Sequence, residues 1–210
     1  MRLLSLLRLF FILLYHQFAW TYNLVAALVS IGRWQSWVLK ALPYIDGRVL
    51  ELGSGPGHLQ LALHARGFPA FGLDESFQMG RQARRRLRRK SHPANLVRGY
   101  AQNLPFPANC FQTVVATFPA EFIFDSLTLS GIRRLLVPDG KLVILPAAWI
   151  TGLGLLDRLA TWLFRVTGQA GAIERIIPTI KNRLQAGGFE AQHEIVELPG
   201  SRLLVIVANK

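Results

Sequence analysis

From Asp46 onward, short apolar runs alternate with helix-period segments, and polar or glycine-rich turns separate them. Arg48–Leu52 reads as a buried strand that stops at glycines. Leu59–Arg66 follows as a helix ended by Gly67, and Pro69–Leu73 is a second strand. Ser76–Arg89 is a helix with a basic face, and Asn95–Arg98 is a short third strand. Thr113–Phe118, apolar and β-branched, is a fourth strand. Leu127–Leu136 is a helix stopped by the turn Pro138-Asp139-Gly140, and Lys141–Leu145 is a fifth strand. Strands alternating with helices at this spacing predict a parallel sheet wrapped on both faces. The last third breaks the alternation. Leu153–Val166 predicts an inserted amphipathic helix and Ile176–Ala186 a helix ended by Gly187-Gly188. Glu190–Glu197 and Leu203–Ala208, on either side of Pro199-Gly200, predict an antiparallel hairpin.

The first 45 residues follow a different pattern, and they are expected to form an apolar helical cap or membrane-associated segment ahead of a domain covering 46–210, with its helical insert at about 151–170. From Leu9 to Gly32 there is no charged residue. That length could span a bilayer, but His16, Gln17, Thr21 and Asn23 fall near its middle, where polar groups are costly. Arg2 and Arg8 would suit the positive end of a signal peptide, yet no small-residue cleavage site follows. One or two helices lying on a membrane surface, or capping the domain, fit the pattern best.

Composition narrows the chemistry. Cys110 is the only cysteine, so no disulfide framework or Cys-based metal site can form within the chain, and a reducing, cytoplasmic setting is the simplest reading. Cys110 falls in a turn and reads as incidental rather than nucleophilic. His16, His58, His64, His92 and His193 are scattered without ligand spacing, so no metal is expected. The formal net charge of +12 comes largely from one run, Arg81, Arg84, Arg85, Arg86, Arg88, Arg89 and Lys90. This run reads as a solvated outer helix or as a contact with an anionic membrane surface. It has no interleaved aromatics, which argues against nucleic acid as a partner.

The sharpest local signal is Leu50-Glu51-Leu52-Gly53-Ser54-Gly55-Pro56-Gly57, where a strand ends, glycines turn the backbone and a helix begins. Such a turn lets a ligand lie against bare backbone. His58 stands where a dinucleotide fingerprint has a small residue, and no Gly-Lys-Ser/Thr ending marks a triphosphate loop. Asp74 closes the second strand about 20 residues on, the place from which a carboxylate accepts hydrogen bonds from ribose hydroxyls. Asp74 could instead cap the helix that follows.

Glu51–Gly57 resembles the first motif of class I S-adenosylmethionine-dependent methyltransferases. Gly72-Leu73-Asp74-Glu75-Ser76 with Met79 resembles their second. Leu104–Phe111 is similar to their Leu-Pro-Phe loop before the fourth strand, and Arg134–Leu142 to their Leu-x-Pro-Gly-Gly turn before the fifth. Tyr15–Asn23 resembles the N-terminal segment of the ubiquinone- and menaquinone-biosynthesis type, with His16 and Asn23 in place of two aspartates. The resemblance implies a Rossmann-like, seven-stranded, mostly parallel sheet with helices on both faces and a C-terminal antiparallel hairpin. It implies S-adenosyl-L-methionine as cofactor, with Glu51, Gly53, Ser54, Gly55 and Gly57 around its methionine and sugar. Asp74 would meet the ribose, Glu75 would belong to the cofactor-binding set, and Met79, Ala101 and Gln102 would lie near adenine. Thr117 would line the reaction centre beyond the fourth strand, where Glu121 is a candidate base or orienting group as well as an ordinary helix-start charge. Two positions depart from the family: Tyr100 stands where an aspartate meets the adenine amine, and Gln112 follows Phe111 where an aspartate is usual.

These expectations describe an enzyme that methylates a small, lipophilic or lipid-like acceptor, cytoplasmic and peripheral to the inner face of a membrane. The departures at Tyr100 and Gln112 motivate an alternative, a membrane-associated module that binds the cofactor and regulates a partner. A nucleic-acid methyltransferase rests on charge alone, and Thr117-Phe118-Pro119-Ala120 is not the Asn/Asp-Pro-Pro-aromatic motif of amino-group nucleic-acid enzymes.

Overall fold

The structure, a computed structural model, describes residues 33–151 and 173–210. The apolar stretch Leu9–Gly32, the segment Tyr15–Asn23 and the expected helix Leu153–Val166 lie outside the described residues. Helix α1 (Trp34–Val38) runs into a 3-10 turn (Leu39–Tyr44), then β1 (Val49–Leu52), α2 (His58–Ala65), β2 (Ala70–Asp74) and α3 (Phe77–Arg88). Next come β3 (Leu96–Arg98), β4 (Phe111–Thr117), a short 3-10 turn (Glu121–Phe124) and α4 (Ser126–Leu135). The chain closes with β5 (Leu136–Ile150), α5 (Ile173–Ala186), β6 (Glu190–Leu198) and β7 (Ser201–Asn209).

The seven strands form one sheet in the order β3-β2-β1-β4-β5-β7-β6. The first five are parallel, while β7 runs antiparallel to both β5 and β6. This is the Rossmann-like arrangement with a C-terminal hairpin expected from the sequence. Strand β1 is buried at every position, as its unbroken apolar run requires in a sheet covered on both faces. One face packs Leu50, Leu52, Val114, Ala116 and Ile144 against Leu129, Ile132 and Leu184 of α4 and α5. The other packs Val49, Val115, Val143 and Leu145 against Leu59 and Leu63 of α2 and against Trp37, Val38 and Ala41. Residues 34–45 therefore share a core with the sheet, and Trp37 Nε1 donates to Ser201 Oγ at 3.0 Å.

Strand β5 differs most from the sequence reading. Leu136 already pairs with Phe111, the Pro138-Asp139-Gly140 turn bulges out with Asp139 at φ +62°, and pairing resumes at Lys141 opposite Thr113. The far half continues to Ile150 because Ala147–Ile150 pair with Leu204–Ser201 of β7. The alternation of apolar positions does not reveal a strand lengthened by its neighbour.

Candidate functional site

At the carboxyl ends of β1, β2 and β4 the chain makes three exits in parallel, and these bring the Gly53–Gly57 turn, Asp74 and Thr117 to one end of the sheet. This is where open α/β sheets bind ligands. After β1, Gly53, Gly55 and Gly57 all have positive φ, +70°, +51° and +79°. The turn is tied to the next strand, because the Gly53 and Ser54 amides donate to the Leu73 carbonyl at 2.8 and 3.2 Å. Gly57 is needed for packing: a Cβ there would stand 2.8 Å from Ala83 Cβ of α3. Gly53 is needed for its backbone conformation. It is exposed, and a Cβ on it would stand 3.6 Å from Phe122 Cζ, in ordinary contact with that ring. A Cβ on Gly55 would meet only the Gly53 carbonyl oxygen, at 3.9 Å.

Asp74, at the end of β2, accepts from the Gly55 amide through Oδ2 at 2.7 Å and from the Ser76 amide through Oδ1 at 2.8 Å. Burial raises its pKa, and these two hydrogen bonds pull in the opposite direction. Each oxygen keeps a second lone pair for a ligand hydroxyl. The helix cap is Ser76, whose Oγ accepts from the Met79 amide at 3.3 Å; Asp74 is not the cap. Glu75 is exposed, and its carbonyl accepts from Arg98 Nε at 3.0 Å.

Glu51 lies beneath the turn, 2% exposed, where Gln60 Nε2 donates to its Oε2 at 2.9 Å. Burial pushes its pKa up to about 8, the Gln60 bond opposes that, and the Asp74 charge adds to it. Met79 is 1% exposed and packs inside α3, which gives it a supporting place rather than a ligand-facing one. Ser54 and Ala101 are buried, Gln102 is exposed, and Thr117 is half-buried at the end of β4. Glu121 is exposed at the start of the short 3-10 turn, so the charge can serve a ligand or simply the turn.

The two departures part company. Tyr100 stays at the ligand end, exposed beyond β3. Gln112 is at the opposite end of the sheet, where its Oε1 accepts from the Arg48 amide at 2.7 Å. It closes a turn and does not face the site. Cys110 also lies away from the site. Its Sγ donates to the Pro107 carbonyl, and burial raises its pKa, which makes it a poor nucleophile. Among the described residues no group of His, Cys, Asp and Glu could hold a metal ion, and no helix is long and apolar enough to cross a membrane.

Sequence reading missed an aromatic wall. Phe118, at φ +49°, leaves β4 and packs on Trp34 with the rings tilted by 37° and centroids 4.5 Å apart, with Trp37 at 6.1 Å. Gln35 Nε2 stands 3.0 Å from His58 Nδ1, so α1 is held against the start of α2. Burial, with the Arg86 charge second, lowers the His58 pKa to about 4, and the ring is neutral near pH 7. Contacts this far apart in sequence leave no periodic signal. The sole hint was a bulky His58 where tight packing prefers a small residue.

Residues 49–140 match the profile of a family described as a methyltransferase domain. No curated protein is similar in sequence. Among solved structures, YcgJ from Bacillus subtilis superposes with a TM-score of 0.61 at 16% identity, covering 83% of this chain and 98% of that one. A SAM-dependent methyltransferase from Archaeoglobus fulgidus gives 0.58 at 17% identity, covering 84% and 92%. Another from Methanosarcina mazei gives 0.56 at 20%, covering 81% and 96%. At these identities the likeness is one of fold.

Proposed function

We propose that this chain is an S-adenosylmethionine-dependent methyltransferase of the ubiquinone- and menaquinone-methyltransferase type, acting on a small lipophilic acceptor at the inner face of a membrane. The observation that carries the reading is the convergence of the Gly53–Gly57 turn and the Asp74 carboxylate at 2.7 Å on the ligand end of a sheet whose segment 49–140 matches a methyltransferase domain. The apolar stretch Leu9–Gly32 and the aromatic pair Trp34 and Phe118 beyond β4 support a lipophilic acceptor.

S-Adenosylmethionine fits the residues present, and when bound it supplies an electrophilic methyl group on a sulfonium. Gly53 and Gly55 leave backbone open for its methionine and sugar portion. Asp74 accepts the ribose hydroxyls through its remaining lone pairs, a charge-assisted interaction. Glu75, Ala101 and Gln102 border the adenine side, and Thr117 the reacting side. Such a transfer depends chiefly on alignment and exclusion of water. Glu121, the exposed carboxylate beyond β4, orients the acceptor or takes its proton.

Calorimetric titration with S-adenosylmethionine tests the reading. Micromolar binding is expected, weakened about tenfold or more in Asp74→Ala. No binding by a folded parent would overturn it.

A further inference from the structure

Helix α3 presents Phe77, Arg81, Arg84 and Arg88 at i, i+4, i+7 and i+11, a single exposed stripe roughly 60° wide at about 100° per residue. Arg85 and Arg89 flank it, Met79, Ala83 and Leu87 are buried on the opposite side, and Arg86 alone turns inward to the Pro56 carbonyl. The helix contains no acidic residue. At its N-terminal end Phe77 is 60% exposed, and the guanidinium carbons of Arg81 and Arg98 lie 5.9 and 6.0 Å from its ring centre. Tyr100, 65% exposed, follows Arg98 at the end of β3, the edge strand of the sheet. Phe77 and Tyr100 are the exposed aromatic rings among the described residues, and both lie on this edge.

A solvated outer helix accounts for the arginines but not for two water-exposed rings set among them. We propose that this edge, the α3 stripe with Phe77 and Tyr100, docks the protein on an anionic phospholipid bilayer. The guanidiniums meet headgroup phosphates and the rings enter the interfacial layer, as basic-aromatic helices do at membranes. The rings are gathered at one end of the helix, beside a small hollow between α3 and β3 that Phe77, Arg81, Arg84 and Arg98 line. A single-stranded nucleic acid calls for a groove with rings spaced along it. The rings sit at the ligand end of the sheet, so docking brings the mouth of the site to the bilayer. The inference deepens the lipophilic-acceptor reading and rests on it for its purpose, but docking is measured without turnover.

The test uses the full chain with Cys110→Ser and one new cysteine, at Phe77→Cys or, as a control on the opposite face of the sheet, at Ser130→Cys. Each carries a polarity-sensitive fluorophore. A local probe is needed because Leu9–Gly32 can carry the chain onto vesicles by itself. Emission at 77 is expected to shift to the blue with phosphatidylglycerol-containing vesicles, and not with phosphatidylcholine alone. The shift should weaken as salt rises, and the probe at 130 should stay in water. Arg81→Glu with Arg84→Glu and Arg88→Glu should weaken the response more than roughly a hundredfold, about fivefold for each lost arginine. The matching triple lysine variant should keep it, which separates charge from misfolding. No shift at 77 on anionic vesicles, an equal shift on neutral ones, or a shift produced by single-stranded RNA in their place would overturn the proposal. None of these results alters the S-adenosylmethionine titration, so the two readings fail separately.

Discussion

The Gly55 amide donates to Asp74 Oδ2 at 2.7 Å, joining the turn after β1 to the end of β2 across 19 residues of sequence. One carboxylate thus shapes the glycine turn and, in the proposed function, meets the ribose. Asp74→Asn should separate the two roles. Its amide oxygen can still accept one backbone N–H, so stability should fall by about 1 kcal/mol, while loss of the charge should weaken S-adenosylmethionine binding about tenfold. Thermal melts and calorimetry on the same samples would check this. Equal affinity in the variant and the parent would remove Asp74 from the ligand contacts.

Gly57 and Gly53 both have positive φ yet should fail differently. Gly57→Ala drives a methyl to 2.8 Å from Ala83 Cβ, and strain with overpacking should cost about 2–4 kcal/mol of stability. Gly53→Ala meets only Phe122, at 3.6 Å, so the stability loss should stay near 1 kcal/mol while cofactor binding is blocked. Adding Phe122→Ala to Gly53→Ala should restore measurable binding. If it does not, Phe122 does not border the ligand.

Much of this site could be read from sequence because local rules fix it. The strand–glycine–helix turn and an acid closing the next strand are written within short windows, and alternating elements imply the parallel sheet. What the sequence did not show depends on distant partners. Phe118 meets Trp34 only after folding, and β5 gains its far half only from β7. The inward turn of Arg86 to the Pro56 carbonyl, among the exposed arginines of the run, likewise depends on the fold.

Gln112 is the departure most easily mistaken for a damaged site. Its Oε1 holds the Arg48 amide at 2.7 Å, at the end of the sheet away from the glycine turn. Gln112→Ala should therefore lower stability by about 1 kcal/mol and leave S-adenosylmethionine affinity within about twofold. A large loss of affinity at unchanged stability would mean that this end of β4 communicates with the site.

Glu51 gives the fold a pH dependence of defined sign. Its carboxyl is 2% exposed, and burial raises its pKa from 4.5 to about 8, with Gln60 opposing and Asp74 adding. The folded state therefore binds this proton more tightly than the unfolded chain does. The stabilisation is complete below pH 4.5, declines as pH rises, and is gone above about 8. A tenfold difference in proton affinity is worth about 1.4 kcal/mol, so the decline amounts to a few kcal/mol. Glu51→Gln keeps the shape, can still pair with Gln60, and has no proton to lose. Its melting temperature should vary less than the parent's across that window and exceed the parent's at the alkaline end. Parallel curves for the two proteins would show that Glu51 does not control the slope, and would point instead to its neighbour Asp74, whose pKa burial also raises.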